Sequence, residues 1–95
     1  MQIDEKKVGK EYLNELKRIL KIREERRLVY QDSFLHETPD ALLNIINGKW
    51  RRFEIMWSNR KKTPQINDKI EDEISDIINY FLFVLCVLNK NKETK

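Results

Sequence analysis

Glycine and proline are scarce in this 95-residue chain, two of each, and it has a single cysteine and a single histidine. So few turn-forming residues argue against a strand-and-turn architecture, and 40% apolar content points instead to helices in one small domain spanning residues 1–95. Cys86 has no partner in its own chain, which excludes an intrachain disulfide framework or cysteine zinc site; a reducing, cytoplasmic setting is the expectation. His36 falls in a polar break, where a lone histidine is an ordinary surface residue, and it receives no catalytic role. Neither sign of charge dominates: 19 basic and 16 acidic side chains are interspersed for a net +3, which is not the footprint of a dedicated nucleic-acid binder. The opening MQIDEKKVGKEY lacks the apolar stretch of an export signal. The longest apolar segment, 77–88, is interrupted only by Asn79 but falls short of the roughly 20 residues that cross a bilayer, so no membrane is expected and the segment should be buried in protein. No internal repeat, phosphate-cradling glycine loop or serine nucleophile elbow occurs.

What is present is helical periodicity. From Asp4 to about Tyr30 apolar residues recur at Val8, Tyr12, Leu13, Leu16, Ile19 and Leu20, interrupted only by Gly9. Beyond Leu20 the same positions carry Arg23, Glu24 and Arg27; either the helix leaves the core there or it aims charges inward. The segment QDSFLHET is a break, and Thr38-Pro39-Asp40 signals a new helix through a capping hydroxyl, a proline at the first position and an acid in the first turn. That helix should run to about Asn59 with a stripe of Leu42, Ile45, Ile46, Lys49, Phe53 and Met56, flanked by Trp50 and Trp57. Lys49 interrupts the stripe. Burial of an unpaired ammonium is costly, so it either has an anionic partner or snorkels along the tryptophans to water. After the polar loop SNRKKTPQIN, a third helix from Asn67 or Asp68 has the expected core stripe Ile70, Ile74, Ile77, Ile78, Phe81, Leu85 and Leu88, with Glu73, Asp76 and Tyr80 along one edge. Phe83, Cys86 and Val87 lie behind that stripe, so the helix is apolar all round and should pack on two sides. The expected architecture is all-α, a small bundle of three main helices completed by a homo-oligomer, dimer or tetramer, through the 74–88 helix, with a frayed polar tail from about residue 89.

Carboxylates three residues apart on one helix face can hold a hard cation such as Mg²⁺, which keeps waters and bridges to substrate phosphates. Acids early in a helix also complement its dipole, so the spacing alone is a weak signal. The stretch EDEISDIINYFLFVL nevertheless resembles the ExxD helix of the all-α nucleoside triphosphate pyrophosphatases, the MazG-like and dimeric dUTPase-like superfamily. RRLVYQDSF followed by GKWRRF resembles its short phage-associated branch, the nucleotide modification associated domain, and the likeness extends over about residues 20–88. The resemblance implies a Mg²⁺-dependent enzyme that splits a nucleoside triphosphate into a monophosphate and pyrophosphate. Glu73 and Asp76 match the ExxD pair and would be the catalytic, metal-holding carboxylates, and Asn79-Tyr80 matches the polar-aromatic pair that follows. The superfamily's EExxE is half present, with Glu24 and Glu25 followed by Leu28 in place of a third acid. Asp32 would supply the missing carboxylate beside Glu24, with Tyr30 and Ser33 in support, while Lys49 and Arg52 match an inward Lys-x-x-Arg that faces the phosphates.

Three functions stay open at this level: the pyrophosphatase, a nucleotide- or protein-binding module on the same scaffold without turnover, and a small basic protein that contacts nucleic acid through RRFEIMWSNRKK. For the last, Trp50, Phe53 and Trp57 could stack on bases, although their place beside the core stripe favours packing.

Overall fold

A computed structural model describes the backbone of residues 4–93, and the side chains of Tyr30 and Glu93 lie outside the described residues. The fold is all-α: helices α1 (Glu5–Tyr30), α2 (Pro39–Ser58) and α3 (Asn67–Glu93) are separated by short 3₁₀ turns at Ser33–His36 and Pro64–Ile66, and no strand occurs among the described residues. No described helix is long and apolar enough to cross a membrane. The chain divides after Asp32 into two units, one formed by α1 and its exit, the other by everything from Ser33 onward.

In the first unit, Asp4 caps α1 by accepting from the backbone N–H groups of Lys6 and Lys7 at 3.1 and 3.2 Å, which satisfies two of the donors a helix start leaves open. Gly9 does not interrupt the helix. The expected inward stripe of α1 is largely exposed: of its six residues only Ile19 is buried, whereas Val8, Tyr12, Leu13, Leu16 and Leu20 face water. At the other end Gln31 adopts a positive φ of 54° while its N–H donates to the Arg27 carbonyl at 2.8 Å. This turn brings Asp32 back onto α1, where Arg23 reaches it at 3.0 Å and Arg27 at 3.3 Å.

The second unit is an antiparallel hairpin of α2 and α3. Thr38 caps α2 as its sequence indicates, accepting from the Ala41 N–H at 3.1 Å, with Pro39 in the first turn. Leu42 and Ile46 of α2 meet Val84 and Val87 of α3 in a buried cluster, and Phe34, Ile77, Tyr80 and Phe83 pack around it. Phe34 leaves the 3₁₀ turn to stack on Phe83 at 4.1 Å between centroids, so the break after α1 contributes to the core. Lys90 donates to the Leu35 carbonyl at 3.4 Å, which ties the last turns of α3 to the same segment; the tail expected to fray from residue 89 is helical through Glu93.

The inward face of α3 differs from expectation by one residue of phase, about 100° of helix rotation. Ile70 and Ile77 are withdrawn from water as expected, and Glu73, Asp76, Tyr80, Phe83, Val84 and Val87 turn inward beside Ile77, while Ile74, Ile78, Phe81, Leu85 and Leu88, expected in the core, are substantially exposed. Phe83 and Val87 are thus core residues of their own chain and require no second copy to cover them; Cys86 is exposed. A helix apolar on every side beyond Tyr80 carries no moment from which its phase could be read, and the partner side chains Leu42 and Ile46 select it instead.

Two substitutions test which face of α2 is turned to the core. Leu42→Ala should cost about 2–5 kcal/mol in urea unfolding, the range for truncating a buried leucine, whereas Ile55→Ala, on the exposed side of α2, should stay within about 0.5 kcal/mol of the parent.

Candidate functional site

Four of the residues expected to handle phosphate and metal meet where α2 and α3 leave the apolar cluster. Lys49 Nζ lies 3.3 Å from Asp76 Oδ2, and Arg52 Nη2 lies 3.4 Å from Glu73 Oε1. An advance of three residues on α2 matches a retreat of three on α3, as antiparallel helices require, so both pairs record one register. Their environments differ. The Lys49 and Asp76 side chains retain 14% and 17% exposure, whereas Arg52 is 64% exposed over a Glu73 that is 13% exposed. The ammonium of Lys49 also stands 5.3 Å from the Tyr80 ring centroid, within reach of a cation–π attraction, and Tyr80 meets Phe83 edge-on at 5.2 Å. Lys49 therefore has the anionic partner its apolar stripe implies and does not snorkel to the surface.

Glu73 is less well satisfied. Its Oε1 is buried and accepts no hydrogen bond, since the Arg52 contact is a charge approach without hydrogen-bond geometry. A cleft of about 390 Å³ opens beside it, lined by Arg52, Ile55, Met56, Lys69, Asp72 and Glu73. Lys69 and Asp72 were not singled out by sequence; their place one residue before Ile70 and Glu73 was the available signal, and it depended on the phase of α3. Asn79 is buried on α3. Tyr30 closes α1, and its side chain lies outside the described residues.

Glu24 and Asp32 belong to the other unit. They line a separate cleft of about 420 Å³ together with Arg27, Leu28 and Gln31, and Asp32 is held there by Arg23 and Arg27, with Arg27 also 3.9 Å from Glu24. Among the described residues no three or more Asp, Glu, His or Cys side chains gather as a metal-binding group; of the four expected ligands, Glu73 and Asp76 belong to one unit and Glu24 and Asp32 to the other. Mg²⁺, however, is commonly bound through one or two carboxylates, with substrate phosphates and water completing its shell. Glu73 and Asp76, one turn apart and with one carboxylate oxygen lacking a hydrogen bond, fit that role for a cation that arrives with its phosphates.

On a neighbouring face of α2, Trp50, Phe53 and Trp57 form a ladder with centroid separations of 5.1 and 5.9 Å, and Arg60 lies 4.0 Å over Trp57. Both tryptophans are about half exposed, at 49% and 47%, so packing does not consume them as their sequence position suggested. The chain matches no protein-family model, no curated protein and no solved structure.

The Lys49–Asp76 pair makes a specific stability prediction. Lys49→Met removes the Lys49 cation from a mostly buried carboxylate and should cost about 2–4 kcal/mol, and adding Asp76→Leu should recover most of that loss, because breaking one half of a buried pair costs more than replacing both. Urea unfolding of the two single variants and the double variant measures the coupling; additive losses would show that the pair does not interact.

Proposed function

We propose that this chain binds a nucleoside triphosphate as its Mg²⁺ complex beside α2 and α3 and hydrolyses it to a monophosphate and pyrophosphate. One observation carries the reading: two carboxylates one turn apart on α3 each face a cation on α2, with Lys49 largely withdrawn from water. The four charges cancel at rest, and a polyphosphate offers each a new partner. Lys49 and Arg52 then hold phosphate oxygens, Arg52 through its planar fork and Lys49 as a point charge. Glu73 and Asp76 would hold Mg²⁺, which when bound offsets negative charge on the phosphates. Tyr80 supports the Lys49 ammonium, and Asn79 stands next to it on α3 as the polar half of the pair. Hydrolysis breaks the bond between the α-phosphorus and the oxygen bridging to the β-phosphate, and water supplies the replacing oxygen. Glu24 enters this reading only through the half-present EExxE, and Tyr30 and Asp32 only through the resemblance of RRLVYQDSF. The working unit in the same reading is a homo-oligomer joined through α3, in the cytoplasm, where free nucleoside triphosphates and Mg²⁺ are available.

Binding without turnover is the second reading, and one observation favours it: no third acid joins Glu73 and Asp76 among the described residues, while Asp32 is neutralised by two arginines.

Incubation with each of the eight common ribo- and deoxyribonucleoside triphosphates and Mg²⁺ decides between them. Release of pyrophosphate from at least one is expected, lost in Glu73→Gln and Asp76→Asn. Lys49→Gln should weaken triphosphate binding about 10- to 100-fold in calorimetry, the value of a charge-assisted contact, and leave binding of the uncharged nucleoside unchanged. Binding without release supports the second reading. If no triphosphate binds and single-stranded DNA does, with a steep salt dependence, the Trp50–Phe53–Trp57 ladder is the site and both readings fail.

A further inference from the structure

The face of α3 turned away from α2 is itself a continuous apolar band. Ile74, Ile78, Phe81, Leu82, Leu85 and Leu88 are between 37% exposed (Ile78) and 56% exposed (Leu85). From Ile74 to Leu88 the band extends about 21 Å along the helix. One turn before it stands exposed Glu71, and one turn after it exposed Lys92. Contiguous apolar patches of this size on a small protein mark a binding surface.

We propose that a second copy of this chain covers the band, α3 lying antiparallel on α3 about a two-fold axis that passes between Phe81 and Leu82. The charge pattern selects the occupant and the direction. Ile78 and Leu85 are equidistant from that midpoint, so each faces the other across the axis; Ile74 falls beside the partner's Leu88. Glu71 and Lys92 are equidistant from it as well, and an antiparallel pair therefore places an opposite charge at both ends of the band. A parallel pair would set Glu71 against Glu71 and Lys92 against Lys92. The interface is isologous, one surface matched to itself, as two-fold dimers require. Opposed helix dipoles add in the same sense. The six apolar side chains leave roughly 500 Å² per copy, so a pair removes about 1,000 Å² from water, the lower bound for a specific interface. This contact specifies the surface of the oligomer proposed above and rests on that oligomer, not on the nucleotide, so its test contains no nucleotide and can fail while triphosphate binding stands, or the reverse.

The test is sedimentation equilibrium of the full chain at micromolar concentration, with circular dichroism to verify helix content. The wild type should sediment at twice its 11.6 kDa chain mass. Leu85→Glu, which the α2–α3 core does not use, should give a helical monomer. Glu71→Lys and Lys92→Glu should each weaken the dimer about three- to tenfold by setting like charges together at both ends, and the double reversal should restore it. That rescue distinguishes the antiparallel pair even if Leu85→Glu fails to fold. A wild-type monomer at tens of micromolar, or single reversals without effect, overturns the proposal. So does a dimer that survives Leu85→Glu, which would place the contact elsewhere, as on the exposed leucines of α1.

Discussion

The demand of one ammonium for an anion organises the hairpin. Lys49 lies in line with Leu42, Ile46 and Phe53, and a helix cannot present those side chains to a neighbour without presenting Lys49 too. Asp76 answers that demand at 3.3 Å and thereby fixes which turn of α3 lies opposite which turn of α2. Hydrophobic contact is tolerant of sliding, because one aliphatic side chain substitutes for another at modest cost. An ion pair with little exposure is not tolerant, since a slip by one turn separates two charges that are largely withdrawn from water. The apolar cluster supplies the adhesion of α2 to α3, and the Lys49–Asp76 contact supplies the register.

The same contact limits what the site can be. Replacing such a pair by well-packed apolar groups is often neutral or stabilising, so stability alone does not account for its presence. Register is one use and ligand exchange is another, and the two pairs divide these roles by exposure. Arg52 reaches Glu73 from solvent and gives up little burial of its own on leaving, but the mostly buried Glu73 carboxylate then needs a replacement cation. Lys49 and Asp76 are held more firmly and have Tyr80 beside them. An incoming polyanion would meet Arg52 and Lys69 at the cleft before it competes for Lys49.

Local signals in the sequence proved reliable and phase proved fragile. Thr38-Pro39 fixed the start of α2 because capping is a short-range hydrogen bond that depends on a few adjacent residues. The inward position of Lys49, and its need for a partner, could be read because α2 has a polar side against which its stripe stands out. On α3 that contrast vanishes after Tyr80. Ile74, Ile78, Phe81 and Leu85 form as good a stripe as Glu73, Ile77, Tyr80 and Val84, and only contact with Leu42 and Ile46 decides between them. Phe34 was missed for a related reason: a polar segment reads as a loop, yet one aromatic within it suffices to join the core. The resemblance makes Asp32 a metal carboxylate beside Glu24, but its capture by Arg23 and Arg27 depends on the turn at Gln31, which nothing in the residue types announces.

Once its phase is known, α3 reads as two helices sharing one backbone. Its inner face carries Glu73 and Asp76 and then the core residues Tyr80, Val84 and Val87; its outer face carries Glu71, then Ile74, Phe81 and Leu85, then Lys92. Both faces begin acidic and continue apolar; among the described residues the outer one ends in exposed Lys92, whereas Lys90 donates to the Leu35 carbonyl of its own chain. Each inner acid faces a cation on α2 of the same chain, Asp76 facing Lys49 and Glu73 facing Arg52. A copy docked on the outer face therefore adds nothing to the charge balance between α2 and α3, and each chain retains its own complete set of two acids and two bases. Assembly and ligand binding are in this way separable on one helix, because successive residues project about 100° apart and a shift of one position exchanges the face that a side chain serves.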